Sequence, residues 1–206
     1  MVLNQTLREN ARAQLGGKLF CDEWLTVTLA CFIVNAVLTA VTGAFAPAAL
    51  ILSGPIYYGL AKGLIRMIEE RKKQFEFEDL LKGFNDCFTQ SALLYFLKSV
   101  FIALWSLLFV IPGIVKAYAY SMSEFVLQDT STKTWKEALE ESKQLTEGYK
   151  MQLFTLDLSF FGWYFLGLLC FGVGILFVVP YHQMARANFY LARKADVFGT
   201  PVAYIP

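Results

Sequence analysis

The stretch Trp105–Leu127, WSLLFVIPGIVKAYAYSMSEFVL, constrains the fold more than any other part of the chain. It is apolar as far as Ile111, then meets Pro112-Gly113, and continues with polar side chains among aliphatic ones. Proline has no amide hydrogen and disfavours helix in the residue before it, so Pro-Gly in an apolar run predicts a turn or a broken helix. The stretch therefore predicts the tip of a helical hairpin that enters a membrane and leaves it by a more polar helix.

The composition also favours lipid as the surroundings of the chain. Hydrophobic residues make up 56% of the sequence and charged residues 17%, whereas charged residues form about a quarter of a soluble domain. The net charge of +1 gives no field that attracts nucleic acid, so no nucleic-acid partner is expected. We expect membrane lipid as the partner, and leave open a membrane-protein partner or a second copy of the chain.

Six apolar segments predict six transmembrane helices. The first has about 19 residues and a length of roughly 28 Å, which is enough to span a bilayer. Arg8, Arg12 and Lys18 precede it as they would a signal peptide, but its length and Pro47 directly after Ala44-Phe45-Ala46 favour a retained helix. The predicted spans are residues 24–42, 48–68, 91–111, 113–128, 151–171 and 175–194, the last interrupted by Pro180.

A short amphipathic helix is predicted before each pair of spans. Charged side chains alternate with an apolar face in each helix, which suits a location in the membrane interface. The third helix also has a capping-box pattern, with Thr134 as N-cap, Glu137 three residues later and Gly148 at its end. The apolar faces are Leu3, Leu7, Ala11 and Leu15 in the first helix; Phe77, Leu80, Leu81, Phe84 and Phe88 in the second; and Trp135, Ala138, Leu139, Ser142 and Leu145 in the third.

The amphipathic helices and the spans recur at a nearly constant spacing. The separations are 66 and 65 residues between Gly17, Gly83 and Gly148, and 65 and 68 residues between Pro47, Pro112 and Pro180. We therefore predict an all-α fold in one integral membrane domain, residues 1–206, built from three helical hairpins. The predicted repeats cover about residues 3–68, 75–128 and 134–194.

The distribution of lysine and arginine predicts the orientation. These residues concentrate in the N-terminal segment, the segments 66–90 and 129–150, and the C-terminal tail, and the predicted turns contain none. The positive-inside rule then places all four segments in the cytoplasm, with six spans and both termini inside. If the fourth helix did not span, the 129–150 segment would lie outside.

The odd-numbered and even-numbered spans differ in composition. The odd ones are rich in Leu, Phe, Ile, Val and Trp, whereas the even ones contain small and polar residues, such as Gly59 and Gly63 four residues apart. Small residues let helices approach closely in lipid, and polar groups in hydrocarbon need partners. We therefore predict that spans two, four and six form the interior of the bundle and that spans one, three and five face lipid.

Ionisable residues in a membrane are functional candidates by default. Lys116 and Glu124 are eight residues apart, two turns of one predicted helix, and form a functional or a structural pair unless Lys116 extends to the outer surface. Asp157 is a proton or cation site, a partner of Lys98 or Arg186, or a group at headgroup depth. The candidate polar core or substrate path is Lys116, Tyr118, Tyr120, Glu124, Asp157, His182 and Arg186.

No pattern in the sequence points to catalysis, a cofactor or a metal. The motifs HExxH and GxSxG and a phosphate-binding glycine-rich loop are absent. His182 is either a group that titrates near neutrality or a hydrogen-bonded core histidine. A lone histidine predicts no metal site, and widely spaced cysteines predict no disulfide framework; they are Cys21, Cys31, Cys87 and Cys170.

Two functions remain open from the residues alone. The first is a transporter or export-associated permease for small or amphipathic substrates, which would pass among the polar even-numbered helices. The second is a non-catalytic membrane scaffold or accessory subunit, in which the same residues only hold the helices together. An enzyme that acts on lipids is a distant third.

The stretches IPGIVKAYAYSM and PYHQMARANFY, together with LRENARAQLGG, FEDLLKGF and ALEESKQLTEGYK, resemble the bacterial integral membrane proteins grouped as domain of unknown function 975. The resemblance covers nearly the whole chain. It implies a protein of the bacterial cytoplasmic membrane. It implies no activity, cofactor or site residue.

Overall fold

The computed structural model describes residues 4–16, 22–44, 46–70, 75–129, 133–169 and 173–199. Within these residues all regular secondary structure is α-helical, as the sequence predicts. The helices are α1 (Asn4–Gln14), α2 (Asp22–Ala44), α3 (Ala46–Glu69), α4 (Glu78–Asn85), α5 (Phe88–Leu108), α6 (Val110–Ala119), α7 (Ser123–Asp129), α8 (Trp135–Thr146), α9 (Lys150–Leu169) and α10 (Val173–Phe198). Among the residues named above, Leu3, Gly17, Lys18, Cys21, Phe45 and Cys170 lie outside the described residues.

Three of the described helices are long and apolar enough to cross a membrane. They are Asp22–Gly43 in α2, Phe88–Leu107 in α5 and Lys150–Leu169 in α9, with mean hydropathies of 2.1, 1.4 and 1.2. These helices coincide with the predicted odd-numbered spans. Many of their apolar side chains are exposed, and Leu107 is 84% exposed. An apolar surface of this extent is typical of contact with lipid or with another protein.

The prediction that the even-numbered spans are the buried ones agrees with α3, agrees in part with α10, and is wrong for part of the fourth span. Most described residues of α3 are buried, and few described residues of α10 are exposed. Both helices also continue through a proline, so the predicted interruption at Pro180 is wrong. In α6, by contrast, Ile111, Ile114 and Val115 are exposed.

The turn predicted at Pro112-Gly113 lies instead at Phe109. Phe109 is extended, with φ −154° and ψ 135°, between α5 and α6. Pro112 is in the first turn of α6, where a missing N–H costs no intrahelical hydrogen bond. Gly113 is needed for the packing of α6 on α5, because a Cβ on it would lie 2.2 Å from Ser106 Oγ. Its missing side chain lets α6 pack closely against α5.

The fourth predicted span, residues 113–128, is not one helix. It consists of α6 and α7, separated by residues 120–122, which we call the helix break. Ser121 and Ser123 each donate a hydrogen bond to the carbonyl oxygen three residues earlier, both at 2.8 Å. Short polar side chains that bond to nearby backbone compete with helix formation. The serines therefore favour an interruption where hydropathy alone predicts a continuous helix.

Helix α8 supplies hydrogen-bond partners to the helix break. Ser142 Oγ donates to the carbonyl oxygen of Ala119 at 2.8 Å and accepts from the amide of Met122 at 3.3 Å. Thr146 Oγ1 reaches the same carbonyl oxygen at 3.4 Å. Ser142, Thr146 and Met122 are fully buried. Buried backbone groups without partners are costly, so α8 offsets the main cost of breaking the helix.

The local prediction for α8 is confirmed. The hydroxyl of Thr134 accepts a hydrogen bond from the amide of Glu137, whose carboxylate accepts one from the amide of Thr134 at 2.8 Å. Gly148, with φ 74°, follows the helix. The predicted apolar face is buried through Ala138, Leu139, Ser142 and Leu145.

The chain divides into two compact units. The first unit contains residues 1–34, 63–76 and 151–206, and the second unit contains residues 35–62 and 77–150. In the first unit α1 packs along α10 and buries Leu7, Ala11 and Leu15. The side-chain amides of Gln14 and Asn188 also exchange two hydrogen bonds, at 3.0 and 2.6 Å. The apolar face of α1 is therefore occupied by protein.

The three amphipathic helices are not equivalent, and the interfacial prediction fails for two of them. The apolar faces of α1 and α8 are buried against other helices, so they are not available to lipid. In α4 the buried residues are Asp79 and Gly83, whereas Leu81 is 62% exposed. Glycines cause this orientation. A Cβ on Gly83 would lie 2.0 Å from the carbonyl oxygen of Pro55 in α3, so only glycine permits the contact.

We expect Gly83→Ala to destabilise the second unit by about 1–3 kcal/mol, the usual cost of an overpacked contact, because the new methyl group must displace the backbone at Pro55. Gly162→Ala is the matched control, since no atom lies within 4 Å of the Cβ it would gain. That control should be neutral or stabilising by about 0.5–1 kcal/mol. Thermal unfolding in detergent measures both changes, and equal stabilities would contradict the close packing of α3 against α4.

Ser142→Ala should destabilise the protein by about 1–3 kcal/mol, because it leaves the buried amide of Met122 without its side-chain acceptor. Thr155→Ala removes an exposed hydroxyl that donates only within its own helix, to Met151, and should change the stability by less than about 0.5 kcal/mol. Unfolding of both variants under the same conditions provides the comparison. A Ser142→Ala variant as stable as the control would show that α8 does not support the helix break.

Candidate functional site

Two polar clusters lie among the described helices, one in each unit. The histidine cluster belongs to the first unit and the ion-pair cluster to the second. The members of the histidine cluster are Asp157, Tyr164, His182 and Arg186. The members of the ion-pair cluster are Tyr95, Lys98, Ser123 and Glu124.

Two facing helices assemble the histidine cluster. Asp157 and Tyr164 are seven residues apart on α9, two helical turns, and so lie on one face. His182 and Arg186 are four residues apart on α10, which also places them on one face. The aromatic ring of Phe160 on α9 stacks on the imidazole of His182 with 4.7 Å between ring centroids. The imidazole is thus held in one plane by its neighbours.

The hydrogen bonds of this cluster form a chain from a phenol to a carboxylate. The hydroxyl of Tyr164 lies 3.0 Å from His182 Nδ1, and His182 Nε2 lies 2.8 Å from Asp157 Oδ1. A carboxylate accepts hydrogen bonds only, so Nε2 carries the hydrogen and, in a neutral imidazole, Nδ1 accepts from Tyr164. Both imidazole nitrogens are therefore paired.

Arg186 balances the charge of Asp157. Its Nε donates to Asp157 Oδ1 at 3.1 Å, and a second guanidinium nitrogen donates to Oδ2. Two-point pairing of this kind is the strongest geometry between arginine and a carboxylate. The side chains of Asp157 and His182 are each 15% exposed. With a neutral imidazole, the cluster is a largely buried group with no net charge.

The ion-pair cluster joins α5 to α7. Lys98 Nζ lies 2.6 and 2.9 Å from the two carboxylate oxygens of Glu124, and the side chains are 15% and 13% exposed. Ser123 Oγ, whose hydrogen points to the carbonyl oxygen of Tyr120, lies 3.2 Å from the same carboxylate. Lys98 is the eleventh of the 21 residues of α5, so the pair lies halfway along an apolar helix. The aromatic ring of Tyr95, one turn earlier, stacks on Tyr57.

The structure brings together three of the seven candidate residues: Asp157, His182 and Arg186. Arg186 is one of the two partners predicted for Asp157, whereas the other, Lys98, binds Glu124 instead. Tyr164 belongs to the histidine cluster but was not among the seven predicted residues. Its spacing of seven residues from Asp157 nevertheless predicts that the two side chains share a helix face. Ser142, on the apolar face of α8, was likewise not recognised as a partner of backbone groups.

The other four candidates do not form one site. Lys116 lies over the ring of Trp105, with 5.1 Å between Nζ and the ring centroid. The predicted pairing of Lys116 with Glu124 is wrong, because the helix break ends the continuous helix on which it depended. Tyr120 is buried, with Lys143 Nζ 5.7 Å from its ring centroid. Tyr118, in the last turn of α6, is half-buried.

Metal ligands do not cluster in the described part of the chain. No group of three or more His, Cys, Asp and Glu side chains is placed there to hold an ion. The described cysteines Cys31 and Cys87 are buried thiols that do not form a disulfide with each other.

Neither the curated proteins nor the solved structures contain a match to the chain. A family match does exist, and it begins at the end of α5 and extends through α6 to α10. It includes both stretches that carry the resemblance most specifically, as well as Asp157, His182 and Glu124. Residues 107–196 match the family described as "Protein of unknown function (DUF975)", which confirms the predicted resemblance over this part of the chain.

Proposed function

We propose that the chain crosses a membrane six times as three helical hairpins, through α2, α3, α5, the α6–α7 segment, α9 and α10. The exposed apolar side chains of α2, α5 and α9 support lipid contact. Helices α3 and α10 have 24 and 26 residues, or about 36 and 39 Å, more than the roughly 30 Å of a hydrocarbon core. Lys62 of α3 and His182, Arg186 and Asn188 of α10 have side-chain partners, as polar groups in lipid surroundings require.

The distribution of lysine and arginine supports an orientation with both termini in the cytoplasm. Positive residues lie before α2, around α4, in α8 and near the end of α10. The turn at Phe109 has no charged neighbour until Lys116. The resemblance to the family supports the bacterial cytoplasmic membrane as the location.

Among the three amphipathic helices, α4 has an exposed apolar face that suits the membrane interface. Its exposed side carries Phe77, Leu81 and Phe84, and the ring of Phe84 stacks on Phe88 at the start of α5. The apolar surface of α4 is thereby continuous with that of a candidate span. An amphipathic helix with an exposed apolar face lies at the boundary of headgroups and acyl chains.

Within this architecture we propose that the protein transports a small or amphipathic substrate. The observation that carries the proposal is the helix break beside the ion-pair cluster: Glu124 is the second residue of α7, and its partner Lys98 is halfway along α5. Interrupted membrane helices with polar groups near the middle of the bilayer form the substrate sites of many transporters.

A membrane scaffold is the second candidate, and one observation favours it. Lys98 is paired with Glu124, and Asp157 with Arg186, so the charges satisfy one another. Ion pairs of this kind also occur where they only fix how helices pack. The two functions differ in whether water reaches the ion-pair cluster.

Cysteine labelling tests this difference without knowledge of the substrate. A Ser123→Cys variant, in a chain whose four native cysteines are replaced by alanine, places a thiol beside Glu124. If the cluster lines a substrate path, a charged, water-soluble methanethiosulfonate should modify this thiol in membrane vesicles at least tenfold faster than a packed control. Mass spectrometry of the labelled protein measures the rates.

The packed control is Ala138→Cys, a buried position on the apolar face of α8. Glu147→Cys, at an exposed position after α8, serves as the reactive reference. If Ser123→Cys is as slow as Ala138→Cys while Glu147→Cys reacts, the transport proposal is wrong and the scaffold is favoured.

A further inference from the structure

The histidine cluster has the geometry of a proton-binding site. We propose that Tyr164, His182 and Asp157 bind a proton and pass it along their hydrogen-bonded chain, while Arg186 balances the charge of the carboxylate. The ligand is therefore a proton, delivered from the aqueous phase by hydronium. This inference does not depend on transport of another substrate or on the ion-pair cluster of the second unit.

The proton steps balance along the chain that the structure shows. Tyr164 transfers its hydroxyl proton to His182 Nδ1, and its phenol oxygen takes a proton from hydronium, which leaves a water molecule. The imidazole then carries hydrogen on both nitrogens and a charge of +1. It returns to neutrality when the Nε2 proton moves to the carboxylate of Asp157 and from there to a water molecule, or when the Nδ1 proton goes back to the phenol.

The hydrogen-bonded chain from Tyr164 to Asp157 runs along the axis of α9. Asp157 and Tyr164 are seven residues apart, which is about 10 Å along the helix axis. If α9 spans the bilayer, a proton that moves from the phenol to the carboxylate crosses about a third of a hydrocarbon core of roughly 30 Å. The relay would thus connect two depths of the membrane.

Arg186 compensates the charge of Asp157 without a contribution from the imidazole. Because Arg186 pairs with both oxygens of Asp157, charge balance in the cluster does not require a protonated His182. An aspartate–arginine pair that only held α9 to α10 would not need the imidazole, whose charge ordinarily changes between pH 5 and 8.

Other titratable groups face the cluster from the neighbouring helices of the first unit. Cys31 on α2 interacts electrostatically with Tyr164. Tyr181 precedes His182 on α10, and its ring packs edge-on against Phe160. Tyr181 in turn interacts with three charged residues of α1, which are Arg8, Glu9 and Arg12. The relay therefore has a cationic neighbour at Arg186 and mixed charges beyond Tyr181.

The single histidine of the chain permits a direct test. Protein labelled with ¹⁵N only in histidine, in lipid nanodiscs, gives imidazole signals that arise from His182 alone. Between pH 9 and pH 5 we expect the imidazole to change reversibly from one protonated nitrogen, Nε2, to two. An imidazole that keeps the same protonation state throughout this range would overturn the proposal.

A variant tests the phenol's part in the chain. Tyr164→Phe removes the donor to Nδ1 and should shift the Nδ1 resonance of the neutral imidazole downfield by several parts per million while the protein stays folded. Tyr57→Phe, which removes a phenol from the second unit, should leave both imidazole signals unchanged. An unchanged Nδ1 signal in Tyr164→Phe would overturn the relay, whatever the labelling of Ser123→Cys shows about transport.

Discussion

The structure depends on one constraint: polar groups that leave water must find partners inside the protein. Breaking a helix between α6 and α7 exposes backbone groups, and Ser142 on α8 binds them. Lys98 and Glu124 meet halfway along α5, and Asp157 is held by Arg186 and His182. Because an unpaired polar group in a dry interior costs as much as several good contacts contribute, these pairings determine which helices lie together.

Many apolar side chains, in contrast, lie on the outside of the protein. They are exposed along α2, α5 and α9, and the exposed apolar side chains of α4 continue the surface of α5, because glycine contacts hold the opposite side of α4 against α3. Close backbone contact through glycine replaces the hydrophobic effect where the surroundings are as apolar as the side chains. The same pattern explains why α1 and α8, whose apolar faces are already buried, act as structural supports.

Local and periodic features could be predicted from the sequence, whereas long-range partners could not. Hydropathy identifies α2, α5 and α9, and the capping box of Thr134 depends on residues three apart. The helix break was missed because its support comes from Ser142, twenty residues beyond Met122. The turn was predicted at Pro112 because proline usually ends a helix, but a proline in the first turn of a helix costs no hydrogen bond. The actual turn at Phe109 contains no proline and so could not be recognised from this pattern. Asp157 and His182 were recognised as candidates, but spacing alone does not show which helices face each other.

The central claim is that lipid surrounds the exposed apolar side chains. Trp163 on α9 is exposed, whereas Trp135 begins α8, outside the proposed spans. Two variants that each keep one of these tryptophans, with the others replaced by phenylalanine, can be placed in vesicles whose lipids carry bromine midway along the acyl chains. The account predicts that these lipids quench the fluorescence of Trp163 strongly and that of Trp135 weakly. Quenching of Trp163 by aqueous iodide, with no effect of the brominated lipids, would contradict it.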